Sequence, residues 1–123
     1  MQDNSSYLAE IFFMAAVYRK HHVFDAASTL LREVLQQENQ SASSNHRSEA
    51  LIKYNLAELY SDRGDHYWAQ QLYKESAEQW NNLDPGNTLN MLWYFGALSQ
   101  MQEATNSLIA LKEIDDTNRR WAS

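Results

Sequence analysis

Between Ala50 and Trp80 the chain reads as two helices laid back to back, with Arg63-Gly64-Asp65 as the break between them. Leu56, Ala57 and Tyr60 fall on one face of the first, with Ile52 a turn earlier. Ala69, Leu72, Tyr73, Ser76 and Trp80 resume the pattern at spacings of three and four. Gly64 suits the left-handed position after a helix, because glycine carries no Cβ to clash there. Asp65 suits an N-cap, its carboxylate accepting free N–H groups of the next turn. The small residues Ala57, Ala69 and Ser76 predict a close approach of two helices. Leu56, Tyr60 and Tyr73 fill the space beside them.

The same order of residues occurs earlier in the chain. Asp3-Asn4-Ser5-Ser6 offers N-caps for a helix carrying Leu8, Ile11, Met14, Ala15 and Tyr18. Arg19 to His22 interrupts it. Asp25 can cap a second helix, with Ala27, Leu30, Leu31 and Val34 on its face. Ala15 stands 42 residues before Ala57 (57 − 15), and the same offset pairs Tyr18 with Tyr60, Ala27 with Ala69 and Leu31 with Tyr73. His22 then stands where Gly64 stands. Gln37 to His46 is a polar stretch without a core residue. A third unit follows the Pro85-Gly86 turn, with Asn87 or Thr88 as cap and Leu89, Leu92, Trp93, Phe95, Gly96 and Leu98 in the pattern. Gly96 aligns with Ala57. No Gly-Asp break precedes Ala104, Leu108, Leu111 and Ile114, so this pair has a shortened turn or is nearly one long helix. Asp116 to Ser123 reads as a tail, with Trp121 able to fold back.

This order of Leu56, Ala57, Tyr60, Gly64, Asp65, Ala69 and Tyr73 resembles the tetratricopeptide repeat (TPR) family, whose repeats are helix–turn–helix units of about 34 residues. Ser76 stands where that family usually has Ala, and Lys53 where it often has Trp. The longer period is similar to that of kinesin light chain repeats. The resemblance implies an all-α fold, a right-handed superhelix of about three helix–turn–helix pairs with the third degenerate. Its boundaries would be repeat 1 at 6–37, a loop at 38–46, repeat 2 at 47–82, repeat 3 at 87–115 and a tail at 116–123. The segment from Ser48 to Tyr60 and the run LNMLW at 89–93 have a narrower similarity, to the amino-terminal part of the family of seventh subunits of the anaphase-promoting complex. That similarity implies a place in a larger complex.

Composition agrees with helices. Glycine is scarce (3) and proline nearly absent (1), whereas strand-rich folds need many tight turns. With 44% hydrophobic and 21% charged residues, 123 residues suffice for one soluble domain with one core. The net charge of −6 repels phosphate, which argues against nucleic acid and anionic membrane as partners. No cysteine means no disulfide and no thiolate metal site. The apolar run from Ile11 to Val17 is too short to span a bilayer. The polar start lacks a basic n-region, so no signal peptide is expected there and the expected compartment is the cytoplasm, with the nucleus open.

Chemistry is sparsely signalled. His21, His22, His46 and His66 carry no metal-binding motif and read as solvated turn residues. Glu58 and Asp62, four residues apart, read as a solvated helix face rather than an acid–base pair. No phosphate loop, nucleophile elbow or nucleotide fingerprint occurs. No catalytic residue, metal or cofactor is therefore expected.

The aromatic residues are more informative: 7 Tyr, 4 Trp and 4 Phe. Tyr18, Tyr60 and Tyr73 belong to the core. The TPR resemblance places a partner-binding concave groove on Phe12, Ala16 and Arg19, then Tyr54, Glu58 and Asp62, then Trp93, Ala97 and Gln100. Family pockets that grip a terminal carboxylate use Lys and Asn; here Phe12 and Tyr54 replace Lys and only Asn55 remains, which disfavours that ligand. An aromatic strip with acidic neighbours favours a protein or peptide partner with an apolar or basic segment, such as a helix laid along the groove. The reading is a protein–protein interaction scaffold or adaptor. The alternatives are a groove filled by the chain's own tail, a self-associating dimer, and a small helical ligand-binding or enzyme domain.

Overall fold

The computed structural model describes residues 4–40, 46–84 and 86–122. Among them are five α-helices: α1 Asn4–Lys20, α2 Phe24–Gln40, α3 His46–Asp62, α4 His66–Asn81 and α5 Thr88–Ala122. No strand occurs among the described residues. Each helix packs on its neighbour in chain order, α1 on α2, α2 on α3, α3 on α4 and α4 on α5. Helix occupies 38–40 and begins again at His46; the rest of the expected polar loop lies outside the described residues, as do Asp3 and Pro85.

The α1–α2 and α3–α4 turns are copies of one another. At the end of α3, Asp65 N–H donates to Tyr60 O (2.8 Å) and Gly64 N–H to Ser61 O (3.0 Å). At the end of α1, Val23 N–H donates to Tyr18 O (2.8 Å) and His22 N–H to Arg19 O (3.1 Å). Each donor and acceptor is displaced by the same 42 residues (64 − 22) that separates Ala15 from Ala57. Both turns are Schellman endings, which satisfy orphan carbonyls by a 6→1 and a 5→2 bond. The motif needs a left-handed residue at its centre. Gly64 supplies it with φ 79°, and His22 adopts it with φ 61° despite its Cβ.

The expected caps are used unevenly. Asp65 precedes α4 with φ −87°, but its side chain makes no cap bond; its carbonyl accepts from Ala69 N–H instead. Asp25 lies inside the first turn of α2, not before it, and its carboxylate points out to Arg63 at 3.5 Å. Val23 holds the place that Asp65 holds in the other unit. Asn87 does cap α5: its Oδ1 accepts from Leu89 N–H (3.0 Å) and Asn90 N–H (3.2 Å).

The core forms where the pattern places it. Leu8, Ile11, Ala15, Ala27, Leu31, Val34, Ile52, Leu56 and Leu59 make one buried cluster across α1, α2 and α3. Ala57, Ala69 and Tyr73 make a second, with Tyr54, Tyr60, Leu72 and Met101 packed against it. Full burial of a side chain such as Leu31 contributes about 1.5–3 kcal/mol. Ser76 is fully buried, and its hydroxyl donates to Ala50 O at 2.8 Å. A hydroxyl in place of a methyl is thus satisfied across the α3–α4 contact. Tyr18 and Tyr60 are partly buried, Tyr73 fully.

Four expectations need correction. Met14 is exposed, because no described element covers the outer face of α1, where Phe13 and Val17 are also exposed. Ala97, not Gly96, occupies the close-contact place of the third unit, fully buried in a seven-residue rhythm with Asn90 and Ala104. Leu89, Leu92 and Phe95 are exposed in consequence. Finally, no tail begins at 116: of the two forms expected for the third unit the long helix is found, 35 residues and about 52 Å at 1.5 Å per residue. Residues 100–110, with neither glycine nor proline, give the backbone no place to stop, and the helix continues through 116–122, where a tail is expected. Trp121 is 85% exposed on that helix.

The turn geometry makes a paired prediction. A Cβ at Gly64 would meet no atom within 4 Å, so Gly64→Ala pays only for its left-handed backbone and should lose about 1 kcal/mol in urea unfolding. His22→Gly should gain up to about 1 kcal/mol.

Candidate functional site

Chain-order stacking brings α1 beside α3, and the first half of α5 close to α3. Three of the sequence-predicted groove residues meet there as one ionic cluster. Arg19, in the last turn of α1, donates to Glu58 Oε2 at 2.7 Å and, from Nη2, to Asp62 Oδ1 at 3.1 Å. Its Nε also donates to Asp62 Oδ2. The guanidinium thus forks across two carboxylates one turn apart on α3, a geometry that lysine cannot provide. Its pKa is raised above the ordinary value, chiefly by the hydrogen bond to Asp62 and further by the charge of Glu58, against the opposing effect of partial burial. The acidic patch expected at Glu58 and Asp62 is therefore already answered by a cation.

Arg19 and Asp62 are also walls of a pocket of about 350 Å³ between α1, α2 and α3. Ala15, Leu31 and Leu59 make it apolar; Ala16, Lys20, His22 and Asn55 complete its lining. Asn55 Nδ2 is held by Leu51 O at 2.8 Å. Ala16 is exposed, so this predicted groove residue is open to a partner.

Further along α3 the aromatic strip is a ladder of rings rather than a bare surface. Tyr54 meets Tyr73 edge-on at 5.3 Å and Trp93 edge-on at 5.2 Å. Trp93 stacks on Trp80 at 5.7 Å with 12° between the planes. Each such pair contributes about 0.5–1.5 kcal/mol beyond its area. Tyr54 and Trp93 are half-buried and Trp80 is fully buried. Phe12 is half-buried against the α1–α2–α3 core, outside the ladder. Gln100 is half-buried on α5, and Ala97 is fully buried rather than open to a groove. Arg19, Glu58 and Asp62 are brought together, as are Tyr54 and Trp93; Phe12, Ala97 and Gln100 join neither group.

Sequence reasoning missed the Arg19 clasp and the place of Trp80. A signal for the first existed, since opposite charges occupied groove positions of successive units. For the second, only the contact between α4 and α5 reveals that Trp80 and Trp93 stack.

Among the described residues no group of three or more His, Asp or Glu converges as a metal would require. No helix among them is long and apolar enough to cross a membrane. Comparison with models of protein families, with curated proteins and with solved structures finds no match to this chain.

The ladder has a pH signature. Burial raises the pKa of Tyr54 and, more strongly, that of Tyr73, with the charge of Glu58 adding to each. Above the ordinary tyrosine pKa of about 10 the unfolded chain loses these protons while the folded chain keeps them, so stability falls as pH rises. Urea midpoints followed from pH 8 to 11 should drop above pH 10, and Tyr73→Phe should lessen that drop.

Proposed function

We propose that this chain is a protein–protein interaction scaffold of the tetratricopeptide-repeat kind, without catalysis or cofactor. Its partner is a protein segment laid along α1, α3 and the first half of α5. The observation that carries this is the displacement of the whole turn hydrogen-bond pattern by 42 residues, together with packing in chain order. Units that repeat in this way contact mainly their neighbours and set equivalent helices side by side, which generates an extended binding face rather than an enclosed site. The ionic cluster and the ring ladder are the joints between successive first helices. The pocket beside Ala16 is the opening they leave. Because Arg19 already engages Glu58 and Asp62, the bound segment is apolar rather than strongly basic, with one bulky side chain seated on Ala15, Leu31 and Leu59.

Membership of a larger complex has separate support. Ile109, Leu111, Ile114 and Trp121 are all more than half exposed on the second half of α5. Of these, Leu111 continues the seven-residue spacing of Asn90, Ala97 and Ala104. Exposed apolar side chains on a protruding helix suit a further protein.

Ala16→Trp fills the pocket from an exposed position and should leave the melting temperature within about 2 °C of the parent. Affinity capture from source extract should recover a partner with the parent and lose it with Ala16→Trp. Recovery by both proteins moves the binding site off this face. A thermal shift of several degrees with a nucleotide would favour the ligand-binding alternative.

A further inference from the structure

The 42-residue offset that relates α1 to α3 exposes a difference between them. Ile52, Leu56 and Leu59 of α3 are buried in the cluster shared with α1 and α2, and α2 is the helix of that cluster packed directly on α3. The same offset leads from them to Glu10, Met14 and Val17 (52 − 42, 56 − 42 and 59 − 42), and all three are exposed. Phe13 beside them is 70% exposed. On this side α1 presents to solvent what its counterpart uses to receive a helix.

Two open depressions meet there. One, of about 450 Å³, is walled by Ala9, Glu10, Phe13 and Met14. The other, of about 370 Å³, runs between α1 and α2 over Met14, Tyr18, Ala26 and Leu30. Met14 is common to both, so they form one apolar groove. Its margins are acidic. Glu10 stands at one end, and Asp25 and Glu33 stand on the α2 side. Asp25 faces Arg63 at 3.5 Å. Glu10 and Glu33 are exposed, and neither pairs with a cation among the described residues.

We infer that this groove receives an amphipathic α-helix of another protein, apolar where it meets Met14 and basic along its margins. The helical form follows from the offset, since the equivalent side of α3 holds a helix, α2. Phe13, Met14 and Val17 supply the apolar contact, which such a helix meets at spacings of three and four. The basic margins follow from the charge. Glu10 lies where α3 has Ile52, so a helix without a cation there would cover a carboxylate and leave it unpaired. Lys or Arg opposite Glu10 and Glu33 removes that cost and steers the approach. A second copy fits less well, because the bare half of α5 carries Glu113, Asp115 and Asp116 among its apolar residues. The groove is separate from the pocket beside Ala16, and the result below does not depend on that pocket.

The direct experiment titrates the ¹⁵N-labelled chain with a synthetic helical peptide of about 18 residues, leucine on one face and lysine on the other. Saturable shifts are expected at the backbone amides of Met14, Val17, Thr29 and Leu30, with a Kd in the micromolar range. Phe13→Asp and the double variant Glu10→Lys, Glu33→Lys change only exposed side chains, so both should fold, and each should weaken binding at least about tenfold. The same peptide with glutamate in place of lysine should bind at least about tenfold more weakly. Shifts confined to other residues, parent affinity in both variants, or equal binding of the glutamate peptide overturns the assignment. If the chain alone forms a dimer whose dilution shifts these four amides, the occupant is a second copy and the assignment to another protein is overturned.

Discussion

Everything in this molecule depends on how closely its helices approach. Ala27, Ala50, Ala57, Ala69, Ser76 and Ala97 are all fully buried, and they sit where one helix crosses the next. Small residues at such crossings let the axes come to the short end of the usual 8–10 Å range. Only at that separation do Ile52, Tyr73 and Trp80 fill the space alongside. The functional geometry follows from the same distance. With α1 and α3 further apart, Arg19 could not fork across Glu58 and Asp62; with α4 and α5 further apart, Trp80 and Trp93 could not stack.

The ladder and the clasp do different work. Tyr73, Tyr54, Trp93 and Trp80 tie α3, α4 and α5 through ring contacts that persist at any salt concentration. The Arg19 cluster ties α1 to α3 through partly exposed charges, which salt screens. The first unit is joined to the second by the buried cluster of α1, α2 and α3, to which the clasp adds a salt-dependent link, and the pocket beside Ala16 lies at that joint. Thr105 still accepts from Gln70 of α4 at 2.7 Å, and from residue 109 to 122 every side chain of α5 is exposed.

Much of this was legible in the residues. Spacings of three and four located Ala57, Ala69, Tyr73 and Trp80 in the core, and the offset between Ala15 and Ala57 reappears in the turn hydrogen bonds. His22 shows how far local rules reach: its alignment with Gly64 marks the turn, but sequence alone does not say that histidine accepts a left-handed backbone there. The local bonds from His22 and Val23 back to Arg19 and Tyr18 hold it. The one-residue misplacement of Gly96 for Ala97 has a tertiary cause. Both are small, and only the seam on α4 chooses between them. Of the expected groove residues, Arg19, Glu58 and Asp62 do meet, but sequence could not tell an open acidic patch from a closed ion pair, since that depends on a side chain 43 residues away from Asp62.

Urea unfolding of Ala57→Leu beside Ala16→Leu reads the dependence on close approach most directly. The two substitutions add the same atoms to equivalent kinds of helix, one at a crossing and one on an exposed face. Ala16→Leu is expected to stay within about 0.5 kcal/mol of the parent. Ala57→Leu is expected to lose about 1–3 kcal/mol or more by overpacking. Equal stability of the two variants would contradict the close-contact packing of α3 on α4, and with it the placement of every site described above.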